Sequence, residues 1–378
     1  MSEIAGTRSR LRVANYVAVI ALVLLWTIPT IGLLVSSFRD REQIQSLGWW
    51  QALSSAEEPM SARTGPPGDA VQEDGQWVLT GNVFGDGTGT VGSFGTSIRA
   101  PGEFPAGETA ETRDGGTLSI AADGAYRLTS PEPFKGRRGE RLVLTRASPP
   151  EFTLQNYVQV MTADGMGQAF LNTLTVTIPA TVIPILVAAF AAYALAWMQF
   201  PGRALLIACV VGLLVVPLQL SLIPLLRFHN GIGLGRSYIG IWLAHTGFGM
   251  PLAIYLLRNY MVGLPKEVIE CARVDGATEF EIFRKIVLPL SLPALAAFGI
   301  FQFLWTWNDL LVAKVFLGSG NDQMVMTGRI VELLGSRGNN WELLTAAAFI
   351  SMLVPLVVFF SMQKYFVRGL LAGSVKGG

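Results

Sequence analysis

The sequence predicts an all-α membrane protein of six transmembrane helices, with a β-rich domain inserted after the first helix. Two observations support this fold class. Of the 378 residues, 51% are hydrophobic and 15% are charged, and the apolar residues form long blocks instead of the scattered pattern of a soluble core. Between the first two blocks, the composition shifts to Gly, Ser, Thr, Pro and charged residues, with short runs of alternating apolar character.

Six blocks are nearly free of charged residues, and each can cross the ~30 Å hydrocarbon layer as a helix of about 20 residues. The blocks are residues 13–35, 170–198, 204–226, 238–257, 289–311 and 344–366. The first block follows Arg8, Arg10 and Arg12, as in a secretory signal, but it is too long and lacks a cleavage site of small residues. We therefore expect a retained first helix.

The basic residues predict which helix ends face the cytoplasm. With six spans, a cytoplasmic N-terminus implies a cytoplasmic C-terminus. Twelve Lys and Arg residues then lie on the inner side and five lie in the short outer loops, which is the bias of inner-membrane proteins. Residues 39–165 become one long outer segment, and such segments cross the membrane largely regardless of charge. The sequence therefore predicts a multi-pass protein of the cell inner membrane with both termini in the cytoplasm.

The strongest local signal within residues 39–165 is a β-hairpin. The turn dipeptide Asp123-Gly124 is flanked by the alternating apolar residues Leu118, Ile120, Tyr126 and Leu128. Residues 81–95 are so rich in glycine that a loop and a strand are both compatible with them. Residues 153–161 have the pattern of a short amphipathic helix that leads into the second span. We expect a small β-rich module.

Residues 258–288, between the fourth and fifth blocks, are too charged to cross the membrane and too regular to be a linker. Pro265 suits the first turn of a short helix that ends at Gly276. Thr278 and Glu281 have the spacing of a capping box for a second helix. The second helix has an apolar face of Ile282, Phe283 and Ile286. A helix pair with a glycine corner predicts a rigid projection on the cytoplasmic side.

Several classes of function are disfavoured. The net charge of +1 gives no indication of a nucleic-acid partner, and Cys209 and Cys271 are expected to be free thiols. Apart from Lys364 near the inner end of the sixth block, Asp309 is the one charged residue within a predicted span, so no proton relay is indicated. His229 and His245 have no ligands at metal-binding spacing, and we expect no metal site. The phosphate-binding pattern Gly-x-x-x-x-Gly-Lys-Ser/Thr is absent from the sequence.

Two polar residues each have two interpretations. Asp309, at the outer end of the fifth block, either ends a helix or contacts a transported cargo. His245 either makes a hydrogen bond between helices or binds a substrate hydroxyl, and the structural use is the commoner one. The residues that touch a substrate are therefore unknown from the sequence.

The loop at residues 258–288 resembles the E-A-A loop of binding-protein-dependent ABC permeases. The resemblance is carried by Glu270, Cys271, Ala272, Asp275, Gly276 and Ala277, followed by Ile286, Leu288 and Pro289. The acidic-small-small triplet, the Asp-Gly-Ala sequence, the fixed gap and the place between two late spans make the match specific. Cys271 departs from the usual alanine but exchanges one small side chain for another.

The resemblance implies that these residues couple the permease to an ATPase. Small side chains let a helix backbone approach a cleft in the partner closely, and Gly276 permits the corner between the two helices. The partner would be a separate ATPase subunit that binds ATP and Mg²⁺, with no cofactor in this chain. Its closure on ATP would move the loop and tilt the spans. A less specific alternative is an amphipathic helix that lies on the membrane surface.

The similarity extends from about residue 152 to the C-terminus and is greatest to the second permease of maltose-type carbohydrate importers. It is carried by Asn156-Tyr157, Asn172-Thr173, the run Trp305-Thr306-Trp307-Asn308-Asp309 and the tail that begins at Phe366. The long insert is similar to that of the α-glucoside importer branch. The resemblance implies a type I ABC importer permease fold, with a second permease subunit, two ATPase subunits, an extracytoplasmic sugar-binding protein and the lipid bilayer as partners.

The resemblance and the span pattern together predict four parts of the chain. They are the N-terminus and first helix at 1–38, the insert at 39–165, a five-helix core at 166–368 and a cytoplasmic tail at 369–378. The tail is too rich in glycine to hold a helix by itself. In the maltose-type family the tail reaches between the ATPase subunits, which implies contacts from Gly373, Val375 and Lys376. The alternative is a frayed terminus.

The expected function is that of a permease subunit in an ATP-binding-cassette importer for a sugar, either an oligosaccharide or an α-glucoside of the maltose or trehalose type, without a catalytic site of its own. The alternative is a membrane-anchored enzyme or sensor with an outer β domain. Catalysis would need a nucleophile, paired carboxylates or a metal cluster, and none stands out in the sequence.

Overall fold

The computed structural model describes residues 5–73, 75–85, 89–96, 102–112, 115–134, 139–162, 165–318, 320–336 and 340–374, and among these the side chains of residues 5–10, 321 and 366–374 are not described. The chain divides into two compact units. One unit is Met1–Asn156 with Asn340–Thr345, and the other is Tyr157–Asn339 with Ala346–Gly378. Each unit has its own buried apolar core.

The first unit begins with helix α1 (Ala5–Ser37), which is followed by the short helix α2 (Arg41–Ser46). The turn between them is held by Arg39, whose guanidinium donates hydrogen bonds to the carbonyl oxygens of Gln43 at 2.7 Å and Leu47 at 3.1 Å. The Nδ2 atom of Asn156 donates to the carbonyl oxygens of Ser37 at 3.0 Å and Arg39 at 2.9 Å. The two ends of the segment that follows α1 therefore meet at the end of this helix.

Short antiparallel strands occupy residues 56–148. They are β1 (Ala56–Arg63), β2 (Val71–Glu73), β3 (Gln76–Asn82), β4 (Thr90–Gly95), β5 (Phe104–Pro105), β6 (Thr109–Glu111), β7 (Thr117–Ile120), β8 (Ala125–Ser130) and β9 (Arg141–Ser148). One sheet has the order β1-β9-β4-β5 and the other has the order β2-β3-β8-β7-β6. Side chains from both sheets share one buried core, which includes Leu79, Phe94, Ile120 and Leu144.

The hairpin expected at Asp123-Gly124 is present. Strands β7 and β8 pair with Leu118 opposite Leu128 and Ile120 opposite Tyr126. Gly124 has φ +84°, a left-handed conformation that a residue without a Cβ atom adopts easily. The glycine-rich residues 81–95 begin at the end of β3 and end with β4, so the described part of this stretch contains both strand and turn.

From residue 155 onward the described part of the chain is mostly helical. The helices are α3 (Gln155–Thr162), α4 (Met166–Trp197), α5 (Arg203–Leu213), α6 (Leu218–Gly231), α7 (Tyr238–Val262), α8 (Lys266–Val274), α9 (Glu279–Ile282), α10 (Leu288–Leu290), α11 (Leu292–Trp307), α12 (Leu311–Phe316), α13 (Met326–Ser336) and α14 (Trp341–Ser374). A π-helical turn, Phe283–Val287, joins α9 to α10.

Four helical segments in the described part of the chain are long and apolar enough to cross a membrane unaided. They are Leu11–Ser37, Met166–Trp197, Tyr238–Val262 and Trp341–Tyr365. Two further candidates are bent helix pairs, so the count reaches six only if each pair forms one span. The chain therefore has several apolar helices, and the six-span arrangement stays a prediction.

The third predicted span, residues 204–226, is not one continuous helix. It consists of α5 and α6, which meet at an angle of 108°. Pro217 stands at the N-cap of α6 and has no N–H to donate, and a proline also disfavours the helical conformation in the residue before it. Apolar composition alone could not reveal this break.

The fifth predicted span, residues 289–311, also differs from the structure. The helical segment Glu279–Leu290 meets α11 at 71°, and the break lies at Ser291. Pro293, in the first turn of α11, lacks the N–H that would continue the preceding helix. Helix α11 ends at Trp307, so Asp309 lies in the short connection to α12 and not inside the helix.

The core of the second unit is built by α4, α7 and α11. Small residues on the contact faces of α4 and α7 let the helix backbones approach closely: Ala188, Ala189, Ala192 and Ala253 are almost completely buried. Gln302, on α11, donates a hydrogen bond through Nε2 to the carbonyl oxygen of Ala180 at 3.1 Å. These three helices form the framework that carries the loop between α7 and α11.

The helix at the C-terminus extends further than the glycine content predicts. Helix α14 continues through Ser374, although residues 369–378 were expected not to hold a helix. Extending an existing helix by one residue avoids the cost of nucleation, so glycines are tolerated at the end of a long helix. Val375 and Lys376 lie outside the described residues, and of Gly373 only the helical backbone is described.

Candidate functional site

The loop between α7 and α11 presents helix α8 with two distinct faces. Ile269 and Ala272 are buried and pack into the core of α4 and α7. The opposite face is exposed and forms a shallow surface concavity lined by Glu267, Glu270, Cys271, Val274 and Asp275. Pro265 occupies the N-cap position, one residue before its predicted place in the first turn. One face of α8 is thus exposed to solvent, and the opposite face holds the loop in place.

The corner after α8 is a Schellman motif. The N–H of Ala277 donates to the carbonyl oxygen of Ala272 at 3.0 Å, and the N–H of Gly276 donates to that of Arg273 at 3.1 Å. Gly276 has φ +83°, as this motif requires. The corner predicted from the sequence at this glycine is confirmed, and its geometry fixes the direction in which the chain leaves α8.

The helix after the corner begins with the predicted capping box. Thr278 Oγ1 accepts a hydrogen bond from the N–H of Glu281 at 3.3 Å, and Glu281 Oε2 accepts one from the N–H of Thr278 at 3.1 Å. Ile282 and Phe283 are buried, and Ile286 is half-buried against the same core. The apolar face predicted for this helix is therefore the face that packs inward.

A network of polar side chains ties the loop to the last turn of α4. The buried hydroxyl of Tyr193 donates to Glu279 Oε2 at 2.5 Å. Arg273 Nε donates to Glu279 Oε1 at 3.0 Å, and an Nη atom of Arg273 donates to the carbonyl oxygen of Trp197 at 3.1 Å. The hydrogen bond to Glu279 raises the pKa of the Arg273 guanidinium, so the ion pair remains charged.

Two arginines cap the C-terminal end of α4. Arg203 donates to the carbonyl oxygens of Leu195 at 3.0 Å and Ala196 at 3.1 Å, while Arg273 caps Trp197. The last carbonyls of a helix have no partner within the helix, and their dipoles favour a nearby positive charge. The position of Arg273 in the loop is therefore fixed by the end of α4.

The structure divides the motif residues into three groups. Glu270, Cys271, Asp275 and Pro289 are exposed; Gly276 forms the corner; and Ala272, Ala277, Ile286 and Leu288 pack inward. Glu270 also pairs with Lys266 at 2.8 Å one turn earlier. The small size of Ala272 thus serves packing within this chain, whereas the small exposed residue of the triplet is Cys271.

The sequence did not single out several residues of this site. Val274 is 87% exposed at the end of α8, which makes it the most exposed large apolar side chain of the described residues. An apolar residue directly before an Asp-Gly corner is the signal that could have identified it. Tyr193 and Glu279 are 86 positions apart, and no local pattern connects them.

His245 and Asp309 lie close together outside this loop. His245 is fully buried, with Nε2 3.8 Å from Asp309 Oδ2 and its ring edge-on to Trp305 at 5.4 Å. Among the described residues, neither ring nitrogen of His245 has a hydrogen-bond partner. The expected hydrogen bond between helices is therefore not formed by the imidazole. Asp309 accepts a hydrogen bond from the N–H of Ala313 at 3.1 Å, in keeping with its interpretation as a helix-end residue.

Comparison with known proteins identifies the class to which this fold and loop belong. Residues 169–371, more than half of the chain, match the family described as "Binding-protein-dependent transport system inner membrane component". The chain belongs to this family, as the loop motif indicated. It is a multi-pass inner-membrane permease with the type I ABC importer fold.

The relatives specify the resemblance further. The chain is 61% identical over 376 residues to an alpha-glucoside transport system permease protein of Rhizobium meliloti, covering 98% of this chain and 99% of the relative. It is 61% identical over 226 residues to an osmoprotective compounds uptake permease protein of Synechocystis sp., covering 60% and 76%. The crystal structure of a bacterial ABC transporter involved in alginate import aligns with a TM-score of 0.49 at 22% identity, covering 58% of this chain and 82% of that one.

Proposed function

We propose that this chain is one half of the permease of an ATP-driven importer for α-glucosides, sugars of the maltose or trehalose type. The observation that carries the cargo class is the 61% identity to an alpha-glucoside permease over 98% of the chain, a match that includes the insert at 39–165. The relative named for osmoprotective compounds has the same identity over only 60% of this chain. The longer match favours the α-glucoside.

The energy for transport would enter through helix α8. Its exposed face of Glu267, Glu270, Cys271, Val274 and Asp275 is a surface for a separate ATPase subunit, and the fixed corner at Gly276 gives that surface a rigid support. The sequence contains no nucleotide-binding pattern, so ATP and Mg²⁺ would be bound by the partner. This chain then acts as a transport subunit without a catalytic site of its own.

The proposed assembly contains this chain, a second permease subunit, two ATPase subunits and an extracytoplasmic sugar-binding protein. The charge bias of the loops supports cytoplasmic termini and an outer position for residues 39–165. Family membership favours this transport role over that of a membrane-anchored enzyme or sensor with an outer β domain.

Purification of the assembled complex from a cell membrane, followed by reconstitution into proteoliposomes, tests both parts of the proposal. ATP hydrolysis is measured with the cognate binding protein and a panel of maltose, trehalose and sucrose, with the α-galactoside melibiose and the osmoprotectant glycine betaine for comparison. We expect stimulation by the α-glucosides. Stimulation by glycine betaine alone would contradict the cargo class, and a complex that contains no ATPase subunit would contradict the transport role.

A further inference from the structure

Helix α4 has no short covalent connection to the loop that carries α8. Helix α7 reaches α8 through the three residues 263–265, and α11 follows α10 after Ser291. Trp197, at the end of α4, is separated from Lys266 by α5, α6 and α7 along the chain. Any movement that α4 shares with the loop must therefore pass through non-covalent contacts.

Hydrogen bonds and aromatic packing both join α4 to the loop. Tyr193, Trp197, Arg273 and Glu279, here called the α4–loop link, are joined by hydrogen bonds of 2.5, 3.0 and 3.1 Å, two of which involve the Glu279 carboxylate. Bonds to an ionised group are roughly twice as strong as neutral ones. The ring of Phe283 packs against those of Phe190 at 4.6 Å and Tyr193 at 5.3 Å, which holds the loop to the same turn of α4.

The opposite end of α4 is tied to a different segment. Asn172 Nδ2 donates to the carbonyl oxygens of Asp322 and Met324, each at 2.9 Å. The N–H of Met326 donates to Thr173 Oγ1 at 2.9 Å. Helix α4 has 32 residues and is therefore about 48 Å long. One continuous helix thus connects the loop to the segment that starts α13, on the other side of the apolar layer.

We propose that the α4–loop link makes α4 and the loop between α7 and α11, here called the coupling loop, move as one rigid body. Displacement of the coupling loop is then delivered through α4 to residues 322–326 at the far end. This inference rests on the proposed coupling to an ATPase, and it assigns Tyr193 and Glu279 as positioning residues for that coupling. The charged bonds and the aromatic packing resist rotation of the loop relative to α4, because a small shift would break all of them together.

The rigid-body movement is tested by distance measurement in the whole complex. Spin labels are placed at Arg284→Cys on the loop and Leu171→Cys near the far end of α4, in a background of Cys209→Ser and Cys271→Ala; residues 171 and 284 are both exposed. We expect the same narrow interspin distance in the nucleotide-free and vanadate-trapped states. A distance that changes between the two states in the otherwise unaltered protein would overturn the proposal.

The functional readout is the amount of radiolabelled maltose imported per ATP hydrolysed. Tyr193→Phe removes one hydroxyl and Glu279→Gln removes one charge, and both changes conserve shape. We expect each to lower the import ratio about tenfold or more, the effect of losing one charge-assisted hydrogen bond, with basal ATP hydrolysis and assembly unchanged. The same variants should give a broader, state-dependent interspin distance.

Tyr260→Phe is the matched control, since the Tyr260 hydroxyl donates to the carbonyl oxygen of Leu290 at 3.2 Å from α7, a helix already joined covalently to the loop. Its import ratio should stay at the wild-type value. An equal loss of import per ATP in Tyr260→Phe would overturn the proposal, and so would a wild-type import ratio in the double variant Tyr193→Phe/Glu279→Gln. Either result would show that the α4–loop link only stabilises the fold. Failure of the wild-type complex to retain an ATPase would instead contradict the proposed function.

Discussion

The Oε1 atom of Gln302 lies 2.6 Å from the position that a Cβ atom would occupy at Gly249. Gln302 is fully buried on α11, and its Nε2 donates to Ala180 on α4. Helix α7 approaches this side chain closely because residue 249 has none of its own. The three helices that carry the coupling loop therefore meet at one glycine and one glutamine.

Gly249→Ala is expected to destabilise the protein by about 1–3 kcal/mol, because the added methyl group overpacks this contact. Thermal unfolding in detergent measures the effect. Gly247→Ala is the control on the same helix, since a Cβ atom there would meet nothing within 4 Å. In Gly249→Ala/Gln302→Ala, truncation of the glutamine should relieve part of the clash, so the combined loss should be smaller than the sum of the single losses. Equal stability of the two glycine variants would show that the contact adjusts freely.

Replacement of Gly276 by valine is expected to uncouple ATP hydrolysis from transport while membrane insertion survives. A Cβ atom at this position would meet nothing within 4 Å, so the cost comes from the backbone conformation at φ +83°. That cost is about 1–2 kcal/mol for an ordinary residue and larger for a β-branched one. Import by reconstituted complexes, normalised to assembled ATPase, measures the effect.

Gly276→Asn supplies the control for this experiment, because asparagine tolerates the left-handed region better than other residues with a side chain. We expect it to retain most of the import activity. Full activity in Gly276→Val at equal assembly would argue against a role for the corner in docking.

Residues 39–165 are expected to lie outside the cytoplasm. Ala122 is exposed in the β7–β8 turn, and Arg284 is exposed on the loop between α7 and α11, outside the face proposed for the ATPase. In a background of Cys209→Ser and Cys271→Ala, a membrane-impermeant maleimide should label Ala122→Cys in intact spheroplasts and should label Arg284→Cys only after lysis. The reverse order of labelling would overturn the predicted topology.

The C-terminal residues are expected to contribute to assembly with the ATPase subunits. Deletion of residues 372–378 removes Gly373, Val375 and Lys376 and shortens the end of α14, whereas deletion of 376–378 leaves the described helix intact. If the tail enters the interface between the ATPase subunits, both deletions should reduce the ATPase retained during purification, and the longer one should reduce it more. Wild-type assembly and transport-coupled hydrolysis in both would identify the tail as a frayed end.

Local features of the fold could be predicted because each depends on residues a few positions apart. The β7–β8 hairpin follows from Asp123-Gly124 and its alternating flanks, and the capping box follows from Thr278 and Glu281. The corner at Gly276 required only a glycine that can adopt positive φ. The loop motif was sufficient to indicate the family of permeases to which the chain belongs.

The direction in which side chains point was decided by tertiary structure. Ala272 was expected at the docking surface with the rest of the motif, but it packs inward, because α8 lies on the core of α4 and α7 and one of its faces must be buried. The angle of 108° between α5 and α6 at Pro217 likewise cannot be predicted from an apolar pattern. Composition predicts that a segment is apolar, whereas its path depends on the neighbours that it packs against.

The sequence by itself determined that the chain is a membrane protein, that it carries strands after the first helix, and that a capped helix pair with a glycine corner interrupts the late helices. These properties follow from hydrophobicity and short-range backbone preferences, which are fixed by neighbouring residues. Only the tertiary structure decided that Tyr193 meets Glu279 and that Gln302 fills the space above Gly249. Such contacts join residues far apart in the chain, and they form only when the packing of whole helices has brought their surfaces together.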